Sequence, residues 1–142
     1  MALSVYLDAS ALVALFTDDP FASRANAFLK QNSLLLNVSD FAAAEFASVI
    51  SRHVRTRDIT AEEARQAFSS FDAWTARVTQ RVETTAADIA AADAFIRRLD
   101  LPLRAPDAIN IAIAQRLDAA IATFDDKMAA CARALGTAVA AA

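Results

Sequence analysis

The stretch Ser4-Val5-Tyr6-Leu7-Asp8-Ala9-Ser10-Ala11-Leu12 decides how the rest of the chain is read. Its first half is a short apolar run of the kind that forms a buried strand, and the run stops on an acid. From Ser10 to about Phe16 the pattern becomes helical, with the Ser10 hydroxyl available either as a plain N-cap, to orient Asp8, or to meet a bound anion. Thr17-Asp18-Asp19-Pro20 ends that helix. A strand that gives way to a helix through one carboxylate fits a parallel α/β layer. In such layers ligands bind beyond the carboxyl ends of the strands, where Asp8 falls.

Working outward, the same alternation recurs. A helix is expected from Phe21 to Lys30 and a strand at Leu34–Val38. Ser39 or Asp40 caps a helix that runs to Arg55. Thr60-Ala61-Glu62-Glu63 has the form of a capping box and opens a helix with Ala64, Ala67, Phe68, Phe71 and Trp74 at helical spacing. Arg81–Thr84 reads as a weak third strand, and Ala86–Leu99 as a helix that Pro102 ends. Pro106 suits the first turn of the next helix, which is apolar nearly all round as far as Leu117 and should be buried. Ala120–Thr123 is a fourth strand, Asp126–Leu135 a helix closed by Gly136, and Thr137–Val139 a last edge strand. Short apolar strands alternating with helices predict a three-layer α/β/α fold with a short central parallel sheet, as one domain over residues 1–142.

Composition narrows the function. The apolar fraction of 56% argues against disorder. Glycine occurs once, at Gly136, so a glycine-rich phosphate loop is excluded. The lone Cys131 cannot form an internal disulfide, and the Val5–Phe16 run is interrupted by Asp8 and too short to span a membrane. A soluble, cytoplasmic protein is expected. The formal net charge of −3 disfavours indiscriminate nucleic-acid binding, which a bound cation or a local basic patch would have to offset.

Four acids stand out. Asp8 and Asp125 each follow an apolar strand. Asp107 follows Pro106 in a first helical turn, where it either decorates the helix N-terminus or serves a site. Glu45 shares a helix face with Ala42 and Val49, which turns it toward packed protein. Gathered together, four carboxylates would repel one another unless a cation were present. Magnesium removes that cost through oxygen ligands and suits phosphodiester cleavage without a nucleophilic side chain. Asn110, three residues after Asp107, is placed to support it.

At this point the chain resembles PIN-domain proteins. Tyr6-Leu7-Asp8-Ala9-Ser10-Ala11-Leu12 looks like their opening, followed in order by Glu45, Arg104-Ala105-Pro106-Asp107-Ala108-Ile109 and Ala122-Thr123-Phe124-Asp125. At this length it is most similar to the VapC-type toxins of bacterial toxin–antitoxin pairs. Ala9 departs from the serine or threonine of many relatives. The resemblance implies an endoribonuclease using Mg2+, or Mn2+ in its place. It implies Asp8 and Asp107 as the chief metal ligands, with Glu45 and Asp125 completing the catalytic acids and Ser10 at a hydroxyl position near the substrate. Asp126, next to Asp125, is an alternative ligand. It further implies a homodimer and a small antitoxin that blocks the site.

Other features carry less chemistry. His53 is the only histidine, beside Arg52, Arg55 and Arg57, which read as a solvated face or as phosphate contacts. Arg97, Arg98 and Arg104 lie nearer Asp107 and are candidates for guiding an RNA backbone. The Phe68, Phe71 and Trp74 stripe reads as core or as the wall of a groove for a partner helix. Two rival functions remain. One is an aspartate-based phosphoryl-transfer domain, against which Ser10 stands where a phosphatase of that kind has a second aspartate. The other is a non-catalytic interaction module on the same scaffold.

Overall fold

The computed structural model describes residues 2–31 and 33–140; Met1, Asn32, Ala141 and Ala142, which fall within the expected 1–142 domain, lie outside the described residues. The elements run β1 (Leu3–Leu7), α1 (Ala9–Phe16), α2 (Ala22–Gln31), β2 (Leu34–Ser39), α3 (Asp40–Arg55), α4 (Ala61–Val78) and β3 (Thr79–Val82). They continue with α5 (Ala86–Arg97), α6 (Ala105–Arg116), β4 (Ala120–Ala122), α7 (Asp126–Ala134) and β5 (Val139–Ala140). The alternation read from the sequence is present throughout, with Gly136 closing α7 at φ 84.

All strand pairs are parallel, in the order β3-β2-β1-β4-β5. β1 is central, and its second half is enclosed as an apolar run requires: Val5, Tyr6 and Leu7 are at most 1% exposed, while Leu3 at its start is exposed. Strands β3 and β5 lie at the edges. α1 to α4 pack on one another as one group and α5 packs on α6 as another, giving the three-layer α/β/α arrangement. Leu12 of α1, Phe46 and Ile50 of α3, Ile111 and Ile113 of α6 and Ile121 of β4 fill the core. Each such side chain contributes about 1.5–3 kcal/mol through its removal from water.

The aromatic stripe on α4 is mostly core. Phe71 stacks on Phe46 at 4.6 Å, and Phe16 meets Phe46, Phe71 and Trp74 edge-on. Beside it, Leu15 and Phe16 of α1 face Ile59 and Ala67 across an open groove of about 480 Å³. Among the described residues, no helix is long and apolar enough to cross a membrane.

Three expectations differ in detail. Strand β3 occupies Thr79–Val82 rather than 81–84, because its register on β2 pairs Leu36 with Thr79 and Ser39 with Val82. β5 is Val139–Ala140 rather than 137–139. Helix α1 starts one residue early, at Ala9, so that Asp8 rather than Ser10 is its N-cap.

Candidate active site

The strand order reverses direction between β1 and β4, one followed by α1 and the other by α7. That switch point opens a crevice at the strands' C-terminal ends, the place where ligands of open parallel sheets sit. Asp8 leaves β1 directly into it. Its Oδ1 accepts the Ala11 N–H at 3.0 Å and the Ser10 hydroxyl at 2.6 Å. The residue is only 4% exposed and has no ion pair among the described residues. Burial pushes its carboxyl above the ordinary value. The bonds from Ser10, Thr123 and Ala11 oppose that shift, and the nearby charge of Asp125 adds to it.

Ser10 ties the two sides of the crevice together. While its hydroxyl donates to Asp8, its oxygen accepts the Phe124 N–H at 2.9 Å and lies 3.2 Å from the Thr123 hydroxyl. Thr123 in turn accepts the Asp125 N–H at 3.1 Å. Asp125 caps α7 through the Met128 N–H at 3.1 Å, and Asp126 is exposed in the first turn of that helix. Asp8 and Asp125 are thus both N-caps, each with one oxygen engaged by its own helix.

Glu45 enters from α3. Asn110 of α6 donates its amide to Glu45 Oε1 at 2.7 Å and to the Pro106 carbonyl at 2.9 Å. Asn110 therefore supports Glu45, not Asp107 as its spacing suggested. Its own oxygen accepts a short hydrogen bond from the Tyr6 hydroxyl. Tyr6 has one proton and directs it to Asn110, so the Ser39 hydroxyl at 2.7 Å donates to the Tyr6 oxygen while accepting the Ala42 N–H at 2.9 Å. Burial first, and then the charges of Glu45, Asp8 and Asp40, hold the Tyr6 phenol far above its ordinary value, so it remains a donor. A buried chain with every direction fixed, Ser39 to Tyr6 to Asn110 to Glu45, results. Burial also pushes Glu45 up; Asn110 opposes this, and the charges of Asp8 and Asp107 reinforce it. Glu45 thus lies within electrostatic reach of both aspartates.

Asp107 sits in the first turn of α6, partly exposed, with Oδ2 accepting the Arg104 N–H at 3.3 Å. The remaining basic candidates divide. Arg97 pairs with Asp93 at 2.8 Å and Arg98 with Asp100 at 2.7 Å, both on the surface, while His53 pairs with Asp58 at 3.1 Å. Tyr6, Thr123 and Phe124 escaped the sequence reading as site residues. A phenol in an otherwise aliphatic buried strand was the available signal, because a buried Tyr hydroxyl needs a partner.

A hard divalent cation fits this donor set. Asp8 and Glu45 are both raised partly by neighbouring carboxylates, a repulsion that a cation would relieve. Among the described residues, no three acidic, histidine or cysteine side chains are gathered closely enough to hold an ion by themselves. Magnesium does not need three: one or two carboxylates, waters and substrate phosphate oxygens commonly complete its octahedron.

An all-parallel sheet with Asp8 following β1 and Asp125 following β4 at its switch point defines an open α/β protein of the three-layer kind. The PIN domain family model matches residues 5–134, and the chain belongs to that family. Solved structures of similar fold include VapC20 of Mycobacterium tuberculosis, described as a sarcin-ricin loop cleaving toxin. It is 17% identical with a TM-score of 0.73, over 89% of this chain and 93% of that one. FitAcB from Neisseria gonorrhoeae is 17% identical over 95% of each chain with a TM-score of 0.71. VapBC2 from Rickettsia felis, bound to a DNA fragment from its promoter, is 14% identical with a TM-score of 0.70, over 97% of this chain and 98% of that one. At these identities the likeness concerns the fold. No curated protein sequence matches the chain.

Proposed function

We propose that this protein is a metal-dependent endoribonuclease acting as the toxin of a toxin–antitoxin pair. One observation carries the reading: a buried, cation-free Asp8 at the switch point, with Asp125 beside it and Glu45 in reach of both Asp8 and Asp107. A buried carboxylate without a cation beside it is costly even when hydrogen-bonded, and such groups cluster where function needs them. In this reading Asp8 and Asp107 hold Mg2+ or Mn2+, Glu45 and Asp125 complete the catalytic acids, Asp126 is a reserve ligand, and Ser10 orients Asp8 near the substrate. Such an ion, when bound, lowers the pKa of a coordinated water and stabilises charge on the phosphate. The protein's own part is orientation: Ser10 and Ala11 fix Asp8, and the Tyr6–Asn110 chain fixes Glu45.

The partner assignment rests on a similar structure described as a toxin–antitoxin complex from Klebsiella pneumoniae, 17% identical with a TM-score of 0.63. The α1–α4 groove beside Leu15 and Phe16 suits an amphipathic antitoxin helix. A homodimer acting in the cytoplasm completes the proposal. The direct test is incubation of the purified protein with structured and single-stranded RNA, with Mg2+, with Mn2+ and with a chelator. Cleavage only in the metal-containing samples is expected. Cleavage undiminished by the chelator refutes metal dependence, and no cleavage of any RNA refutes the ribonuclease assignment.

A further inference from the structure

Glu45 is not the only residue that α3 aims at the crevice. Val49, Arg52 and His53 follow it at i+4, i+7 and i+8, on the same face of the helix. The face of α1 that carries Ser10 continues one turn on to Val13. Between these two faces lies a pocket of about 320 Å³, whose far wall is Phe124 and whose rim includes Asp19. The pocket shares Ser10 and Asp125 with the acid site and so adjoins it.

Its chemistry is divided. Val13, Val49 and Phe124 make an apolar wall, and Phe124 is held in place by Phe21, which stacks on it at 5.0 Å with the rings 9° from parallel. Arg24 lies over both rings, at 5.3 and 5.5 Å from their centroids. The guanidinium of Arg52 stands at the pocket, exposed and without a hydrogen bond or ion pair among the described residues. The negative C-terminal end of α3 and the pocket's own acids, Asp19 and Asp125, favour a cation there, and neither acid forms an ion pair with Arg52. Seven residues separate Arg52 from Glu45, about 10 Å along the helix axis, a short step along a nucleic-acid strand.

Resting on the ribonuclease reading, we infer that this pocket receives a nucleotide of single-stranded RNA flanking the scissile phosphate. Its base lies against Val13, Val49 and Phe124, and Arg52 takes its phosphate. Unstacked bases lodged against aromatic and apolar side chains, with an arginine on the backbone, are how proteins commonly hold single strands. A volume of about 320 Å³ reaches the lower limit of small-ligand sites, which begin at about 300 Å³. The chain's acidity makes the device useful: an acid-lined crevice repels a polyanion, and a cation such as Arg52 beside it favours the approach of the strand on that side.

The test uses a fluorescein-labelled single-stranded RNA oligonucleotide and the whole protein, in chelator so that no strand is cut, with anisotropy as the readout. Arg52→Ala is exposed and keeps the fold; Val49→Trp fills the pocket, and its melting temperature is checked alongside. Each is expected to weaken RNA binding by about 10-fold or more, while Arg77→Ala, an exposed arginine on α4, leaves it unchanged. Equal losses in Arg52→Ala and Arg77→Ala would mean a general charge effect and overturn the pocket. Unaltered affinity in Arg52→Ala, together with normal metal-dependent cleavage, overturns the pocket and leaves the ribonuclease standing. A wild-type protein that neither binds nor cuts RNA overturns both. An Arg52→Ala protein that loses affinity for an antitoxin peptide but not for RNA makes the pocket a protein-docking site and likewise ends the proposal.

Discussion

Asp8 and Asp88 are the same residue type at nearly the same burial, 4% and 2% exposed, and both engage a helix N-terminus. Their partners differ. Arg116 donates to Asp88 through two nitrogens, Nε to Oδ1 at 2.8 Å and Nη2 to Oδ2 at 3.0 Å, and Thr85 adds its N–H at 2.8 Å. Burial raises Asp88, but the Arg116 and Thr85 bonds outweigh it, and the carboxyl ends below its ordinary value. Asp8 has hydroxyl and amide donors only, and ends above. One buried acid is neutralised by the fold, joining α5 to α6. The other has no protein cation among the described residues, and in the proposed function a metal ion takes that place. Burial alone therefore does not single out Asp8; burial without a protein cation does.

The largest expected effect falls on the Asp8 side. Asp8→Asn should lower RNA cleavage in Mg2+ by at least about 100-fold, beyond the 10–100-fold typical of residues that merely support a metal ligand. It should also abolish the thermal stabilisation that saturating Mn2+ gives the wild type, which amounts to about 2.7 kcal/mol at a hundred times the Kd. Cleavage at the wild-type rate by a folded Asp8→Asn protein would erase the distinction between the two aspartates.

Arg116→Ala tests the other side. It leaves the Asp88 carboxylate buried and short of a cation, and should cost about 2–3 kcal/mol in denaturant unfolding, below the 3–5 of a wholly buried pair because the arginine side chain is 36% exposed. The Mn2+ stabilisation should survive. If Arg116→Ala instead lost metal binding with no loss of stability, the structural role given to Asp88 would be wrong.

Tyr6→Phe sharpens the contrast by loosening the site without touching a carboxylate. It removes the donor to Asn110 and the acceptor of Ser39, at a cost of about 1–2 kcal/mol. Glu45 then loses its fixed orientation, and cleavage should drop about 10-fold. A stability loss with unchanged cleavage would reduce the chain to a core hydrogen-bond network.

The smallest effect is in pH. Asp8 binds its proton more readily in the folded protein than its ordinary 3.8 allows, so its contribution favours folding at low pH and is lost as pH rises from 3.8 through the raised value. Asp88 is held below 3.8, so its contribution is present above 3.8 and is lost as pH falls through the lowered value. Metal-free Asp8→Asn should therefore gain on the wild type as pH is raised, and Asp88→Asn should lose. Melting curves across about pH 3 to 7 read both. Parallel curves for the two variants would contradict the opposite shifts.

Asp8 and Asp125 were legible because each follows a short apolar strand, and topology carries such acids to the ligand edge. Asp107 and Glu45 were legible through Pro106 and through the neighbours Ala42 and Val49. The start of α1 was misread because Ser10 is as good a cap as Asp8 by residue type; only the bond from Ala11 decides between them. The polar strand β3 was placed two residues late because its position is set by pairing with β2, not by its own pattern. Partnerships such as Tyr6 with Asn110 and Arg116 with Asp88 join residues 104 and 28 apart, and no local period encodes them.

The order β3-β2-β1-β4-β5 has a consequence for synthesis. β4 is the fourth strand to be made, yet it pairs with the first, and it supplies the wall of the crevice that carries Asp125. A growing chain on the ribosome holds Asp8 and Glu45 long before it holds a crevice. Until about residue 125 has emerged, the crevice lacks the side formed by Phe124 and Asp125, however well the first half folds.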